Sequence, residues 1–141
     1  MSKIMALDLG DRWIGVALSD VTLFFAKPYQ TINIDNINEF LSKIIKEENI
    51  KEIVLGYPKT LKGTESDQTR KIVDYKDQLQ KDFKDIKFIL WDERLSSKRA
   101  QTLKPLNNKN NKNYKEDKLK LHSIAAAFIL ESYLLFLNSK I

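Results

Sequence analysis

The sequence predicts an α/β fold: a mixed five-stranded sheet, an antiparallel meander feeding parallel crossover strands, flanked by helices. Three observations predict it. Two strand-like runs, IMALDLG (4–10) and RWIGVALSD (12–20), follow one another across a Gly-Asp link short enough for a hairpin. Two further apolar runs, KEIVLGYP (51–58) and KFILWDE (87–93), each follow a segment of helical periodicity, as parallel strands covered on both faces do. The last long segment, HSIAAAFILESYLLFL (122–137), is the most apolar of all and must lie against the sheet.

The elements follow in order. In the second strand Ile14, Val16 and Leu18 alternate with Gly15, Ala17 and Ser19, so one face is large and the other small. AKPYQTINI (26–34) is the third strand; Pro28 lacks an N–H and belongs near its start or on a sheet edge. INEFLSKIIKEEN (37–49) carries Ile37, Phe40, Leu41, Ile44 and Ile45 on one helical stripe. SDQTRKIVDYKDQLQKD (66–82) is a second amphipathic helix, with Ile72, Val73, Tyr75 and Leu79 inward and Thr64, Ser66 or Asp67 as its cap. Ser96 caps a short helix, SKRAQTLK, which Pro105 ends. VTLFFA (21–26), between two strands, is expected to tuck into the core, with a dimer interface as the alternative.

The chain has 141 residues, suited to one domain over 1–141. With 43% apolar and 30% charged residues it reads as soluble and globular. It has no cysteine, which excludes disulfides, thiolate metal sites and a Cys nucleophile. No charged-then-apolar leader is visible, and the apolar run IAAAFIL is too short to span a bilayer, so the expected setting is cytoplasmic with no membrane partner. The net charge of +5 favours a polyanionic partner. KPLNNKNNKNYKEDKLK (104–120) holds six lysines against Glu116 and Asp117 and lacks helical periodicity. It is expected to form a flexible basic loop over about 105–120, able to track phosphates.

Asp8 poses the functional question. A carboxylate inside an apolar strand is costly unless it reaches water, a basic partner or a metal. Asp92-Glu93 closes the last strand. In open α/β sheets ligands bind outside the carboxyl ends of the strands, where strand direction changes. With the first strand central, acids from distant parts of the chain would converge at one rim, as a site for hard divalent cations requires. Taken singly, Asp8 before a glycine also reads as a turn residue, and Asp92-Glu93-Arg94 as a solvated strand exit.

Four blocks settle the family resemblance: MALDLGDRWIGVALSD, IVLGYPKTLKGTESDQTRKIVDY, FILWDERLSSKRAQTL and SIAAAFILESYL. Together they reach from near residue 4 to near residue 134, and the chain resembles the YqgF/RuvX family of RNase H-like proteins, described as pre-16S rRNA nucleases and as Holliday-junction-resolvase-like. The resemblance implies an RNase H-like fold, a nuclease that hydrolyses phosphodiester bonds, and a divalent metal cofactor, Mg²⁺ or Mn²⁺. It maps the first-strand aspartate onto Asp8 and the acidic pair onto Asp92 and Glu93, with Glu93 the stronger candidate.

The family's third acid, an aspartate just before the SxAA run, is replaced here by His122, the one histidine of the chain. Neutral imidazole ligates divalent metals and suits Mn²⁺ or Zn²⁺ better than Mg²⁺. His122 is therefore expected to take the third ligand's place, kept neutral by a helix N-terminus. Asp117 is the alternative, and Glu131, nine residues on, falls on the opposite helix face.

Asp8, Glu93 and His122 are thus the expected catalytic residues, with Asp92 as a further metal ligand. Arg12, Arg70, Arg94, Lys98, Lys109, Lys112 and Lys115 are expected to bind nucleic acid. The implied partner is structured RNA, the 5′ side of a pre-ribosomal transcript, with branched DNA as the alternative, and the state monomer or weak homodimer. The rival readings are a DNA junction resolvase, a catalytically weak nucleic-acid binder, and a phosphotransferase; the last needs two such domains around a nucleotide.

Overall fold

The computed structural model describes residues 2–57, 67–92 and 114–139, apart from the side chains of 57, 67, 68 and 114–118. Strands β1 (Lys3–Leu9), β2 (Trp13–Ser19) and β3 (Ala26–Asn33) come first, then a 3-10 turn (Ile34–Asn36) and helix α1 (Ile37–Glu47). Strand β4 (Ile50–Tyr57), helix α2 (Asp67–Asp82), strand β5 (Lys87–Asp92) and the long helix α3 (Tyr114–Asn138) follow. The sheet order is β3-β2-β1-β4-β5. β1 runs antiparallel to β2 and parallel to β4, so direction changes at the central strand, as expected.

Strand alternation divides the core in two. Met5 and Leu7 of β1, Ile14 and Val16 of β2 and Ile53 and Leu55 of β4 meet Leu41 and Ile44 of α1 and Leu79 of α2. On the other face Ile4, Ala6, Ala17 and Val54 meet Ala126, Ile129, Leu130, Tyr133 and Leu134 of α3. Those α3 residues recur every three or four positions, so the helix buries one stripe. By length and composition Leu119–Asn138 could cross a bilayer, but this stripe on the sheet is what a core helix shows.

Local chemistry fixes the ends. Asn33 caps the 3-10 turn by accepting from Asp35 N–H at 3.0 Å. Asn49 follows α1 with φ at 52°, a left-handed terminator that asparagine tolerates, and its carbonyl accepts from Lys3 N–H at 3.1 Å as β1 begins. Lys3 Nζ pairs with Glu48 at 2.6 Å. Gln80 donates to the Ile86 carbonyl at 2.7 Å and closes the turn into β5.

Two expectations change. The long helix begins at Tyr114, not His122, so residues 114–120 of the expected basic loop are helical; its remaining part, and the expected short helix after Ser96, lie outside the described residues. VTLFFA is not tucked in: Leu23 and Ala26 touch the α3-side core, but Val21, Phe24 and Phe25 are exposed, Phe25 at 73%. Pro28 sits on β3, an edge strand, as expected.

The turn that displays these aromatics is fastened to Asp20. Its Oδ1 accepts from Phe24 N–H at 3.1 Å and Phe25 N–H at 3.0 Å, and its Oδ2 accepts from the Thr22 hydroxyl and, at 3.3 Å, from Thr22 N–H. These bonds, the Thr22 hydroxyl foremost, lower the Asp20 carboxyl to about 2.

Candidate functional site

Asp8 lies near the carboxyl end of the central strand and is half-buried. It shares the face of Ile4 and Ala6, so it looks toward α3. Its cross-strand partners are Gly15 on β2 and Gly56 on β4. The row continues outward to Thr31 on β3 and Trp91 on β5. The carboxylate thus has a glycine on each side.

Gly15 does more than leave room. A Cβ there would lie 1.9 Å from the His122 carbonyl oxygen, 2.2 Å from its carbon and 2.8 Å from Ser123 N. No side chain fits, because the backbone of α3 rests on β2 at this point. Thr31, next in the row, donates from its hydroxyl to the Leu119 carbonyl at 2.5 Å. The turn of α3 from Leu119 to Ser123 is therefore held across the same row that carries Asp8. Ser123, buried beside it, donates back to the Lys120 carbonyl at 2.9 Å.

The His122 ring lies over Gly10, two residues after Asp8 on the same strand face. A Cβ at Gly10 would meet His122 Cε1 at 3.4 Å and Nδ1 at 3.8 Å, and Trp13 O at 2.7 Å. Gly10 N–H closes the hairpin onto Trp13 O at 2.9 Å. The carboxylate and the imidazole thus share one rim of one sheet face. His122 is not at a helix N-terminus: with α3 starting at Tyr114 it sits two turns inside, so the macrodipole argument for a neutral ring does not apply.

Asp92 stands differently. Ile89 and Trp91 pack on the α3 side, whereas Phe88 and Leu90 pack on the α1/α2 side. Alternation gives Asp92 to the latter face, opposite Asp8. Glu93, whose sequence parity matches Trp91, lies outside the described residues, as do Arg94, Lys98, Lys109 and Lys112. Lys115 and Asp117 fall in α3, but their side chains are not described. Among the described residues no three His, Cys, Asp or Glu side chains form a metal-binding group. Arg12, exposed in the β1–β2 turn, and Arg70, exposed in the first turn of α2, stand at the carboxyl end of the sheet.

The β5 side of the rim is braced by α3. Trp91 Nε1 donates to Ser132 Oγ at 3.1 Å, and the Trp91 and Tyr133 rings meet edge-on at 5.2 Å. Tyr133 donates to Glu52 at 2.6 Å; burial, with this carboxylate beside it, pushes its hydroxyl well above the usual tyrosine range. Sequence reasoning missed the part played by Gly15 and Gly56. The available signal was a glycine inside each of two apolar strands, where a close backbone approach is the usual cause.

The molecule is thus an RNase H-like domain. Its fold matches that of Thermus thermophilus RuvC, solved in complex with a Holliday junction substrate, with a TM-score of 0.60 over 99% of this chain and 96% of that one at 10% identity. The chain belongs to the RuvX family, whose model, described as a Holliday junction resolvase, matches residues 2–135, and is therefore a nuclease by class. Relatives named "Putative pre-16S rRNA nuclease" include one from a Sulfurihydrogenibium species, 40% identical, covering 95% of this chain and 90% of its own. Another, from Malacoplasma penetrans, is 38% identical and covers 94% of each chain. A third, from Rubrobacter xylanophilus, is 33% identical over 94% of this chain and 91% of its own.

Proposed function

We propose that the protein hydrolyses phosphodiester bonds of RNA with a divalent metal, and that its substrate is the 5′ side of pre-16S rRNA. One observation carries the proposal: Asp8, flanked by two glycines, shares its rim with the ring of His122. A carboxylate and an imidazole are a fitting donor pair for a borderline divalent ion, Mn²⁺ before Mg²⁺. Asp8 and His122 would hold the ion, with Glu93 as the further ligand; Asp92, on the opposite face, is left out. When bound, such ions polarise the phosphoryl group and lower the pKa of water. Asp8 fixes its carboxylate at the strand end, and Gly15 beside it lets α3 lie close enough to bring His122 to the same rim. Arg12 and Arg70 offset the charge of the strand. The relatives' names support RNA as substrate; the family description supports a DNA junction as the second reading.

The test is cleavage of a labelled transcript spanning the 5′ end of 16S rRNA, beside a four-way DNA junction, in Mg²⁺ and in Mn²⁺. The transcript should be cut and Asp8→Asn should lose at least ~100-fold, more than the loss of an outer-shell partner at a metal site. His122→Asp should keep cleavage and raise its Mg²⁺-supported share. Cleavage that survives Asp8→Asn contradicts the mechanism, and cleavage of the junction alone contradicts the substrate.

A further inference from the structure

Two kinds of contact hold α3 to the sheet, and they act differently. The stripe from Ala126 to Leu134 packs on the strands. Such packing is non-directional, so it holds the helix down without fixing where along or around its axis each residue falls. Hydrogen bonds are directional and do fix that. In the far half of α3, Ser132 accepts from Trp91 Nε1 at 3.1 Å, Tyr133 donates to Glu52 at 2.6 Å, and Asn138 donates to the Leu23 carbonyl at 3.1 Å. In the near half, Thr31 of β3 donates its hydroxyl to the Leu119 carbonyl at 2.5 Å.

The near tie bears on His122. The ring lies ten residues before Ser132, about 15 Å along the helix axis at ~1.5 Å per residue, so a pivot of about 4° around the far ties moves it by ~1 Å. A displacement of ~1 Å at a reacting site can cost on the order of 100-fold in rate. Leu119, three residues before His122, is its neighbour on the helix surface. Thr31 and Gly15 pair across β2 and β3 and meet the same turn of α3 from below. The contact at Gly15 stops the helix from coming closer, and the Thr31 hydroxyl keeps it from lifting or sliding. Neither the strand nor the core needs that hydroxyl: Thr31 is half-buried on an edge strand, where valine has the same shape and a comparable strand preference.

The geometry points to Thr31 as a positioning residue for His122: through the Leu119 carbonyl, its hydroxyl sets where the imidazole stands over Gly10, on the rim that carries Asp8. This rests on the proposed function for what the ring does there, as a ligand to the divalent ion, and adds the residue that puts it in place. Thr31 touches neither ion nor substrate; its effect passes through one turn of helix. A histidine needs such a tie more than the family's aspartate does. A neutral imidazole offers one acceptor nitrogen, whereas a carboxylate offers two oxygens with about four lone-pair sites, so the ring tolerates less rotation of the helix beneath it.

The experiment follows the ring directly. In metal-free, full-length protein labelled at its single histidine, the His122 Hε1 proton should show a nuclear Overhauser contact to Gly10 Hα. Thr31→Val should weaken that contact, Thr31→Ala should do the same, and Thr31→Ser should restore it. Mn²⁺ binding, read from the electron paramagnetic resonance signal of the free ion, should weaken about tenfold in Thr31→Val and Thr31→Ala, the lower end of what loss of an outer-shell partner does. Thr31→Ser should bind Mn²⁺ as wild type does. In a His122→Gln background, Thr31→Val should weaken Mn²⁺ no further, as a residue acting through His122 requires. A merely structural threonine would lower Tm in every background and leave the ring contact and the Mn²⁺ affinity alone. That result would overturn the proposal, as would a wild type without the ring contact or an undiminished Thr31→Val effect in His122→Gln. If the ring contact follows the hydroxyl while wild type never cleaves, the nuclease reading falls and the positioning role stands. If wild type cleaves and the contact is the same in every Thr31 variant, the positioning role falls and the nuclease reading stands.

Discussion

The two faces of the sheet are packed on opposite principles. Toward α1 and α2 the strands present Met5, Leu7, Ile14, Val16, Ile53 and Leu55, all fully buried and large. Toward α3 they present Ala6, Gly15 and Ala17 beside Ile4 and Val54, with Ala126 opposite, and the helix backbone comes into contact with β2. The first face derives its stability from side-chain volume. The second gives up volume so that a helix can lie close, and that closeness brings His122 to the strand end that bears Asp8. The candidate site therefore sits on the face where the helix backbone comes closest, and the aliphatic face keeps the central strand in place.

Substitutions that trade the two faces should separate stability from chemistry. The largest stability loss is expected on the aliphatic face: Leu41→Ala should cost ~2–5 kcal/mol in denaturant unfolding, by lost burial and the cavity left, while activity per folded molecule stays at the wild-type level. Gly15→Ala comes next, at ~1–3 kcal/mol for overpacking, but cleavage should fall with it, because the new methyl displaces α3 at His122. If Gly15→Ala unfolds the protein no more than this and cleaves normally, the link between close packing and the site is broken.

The smallest effect belongs to the far turn. The folded Asp20 carboxyl titrates near 2, below its usual 3.8, so its contribution is present above pH 4 and lost as pH falls toward 2. The difference in Tm between wild type and Asp20→Asn should be widest above pH 4 and close as the pH approaches 2, with cleavage at neutral pH unchanged.

Much of this was written into the chain locally. Strand alternation in 12–20 already set large residues against small ones, and the order of apolar runs gave the mixed sheet with β1 in its centre. Asp8 was conspicuous because a charge in an apolar strand demands a reason. What stayed hidden depends on pairing between distant segments. Gly15 and Gly56 flank Asp8 only once the register of three strands is known. The start of α3 was misplaced because its first two turns, rich in lysine, carry no apolar period; the helix is held instead by the stripe farther along that packs on the sheet. His122 stood out against the family pattern, but its contact with Gly10 follows from where the helix rests, and no spacing in the sequence encodes that.

The central claim is that Asp8 and His122 share one divalent ion. The chain has a single histidine, so ¹⁵N-histidine labelling gives one unambiguous reporter. Electron spin echo measurements on the Mn²⁺-loaded protein should show coupling to that imidazole nitrogen. The coupling should vanish in His122→Gln, and bound Mn²⁺ should fall sharply in Asp8→Asn. Mn²⁺ held through Asp8 with no imidazole coupling in the labelled wild type would contradict the account.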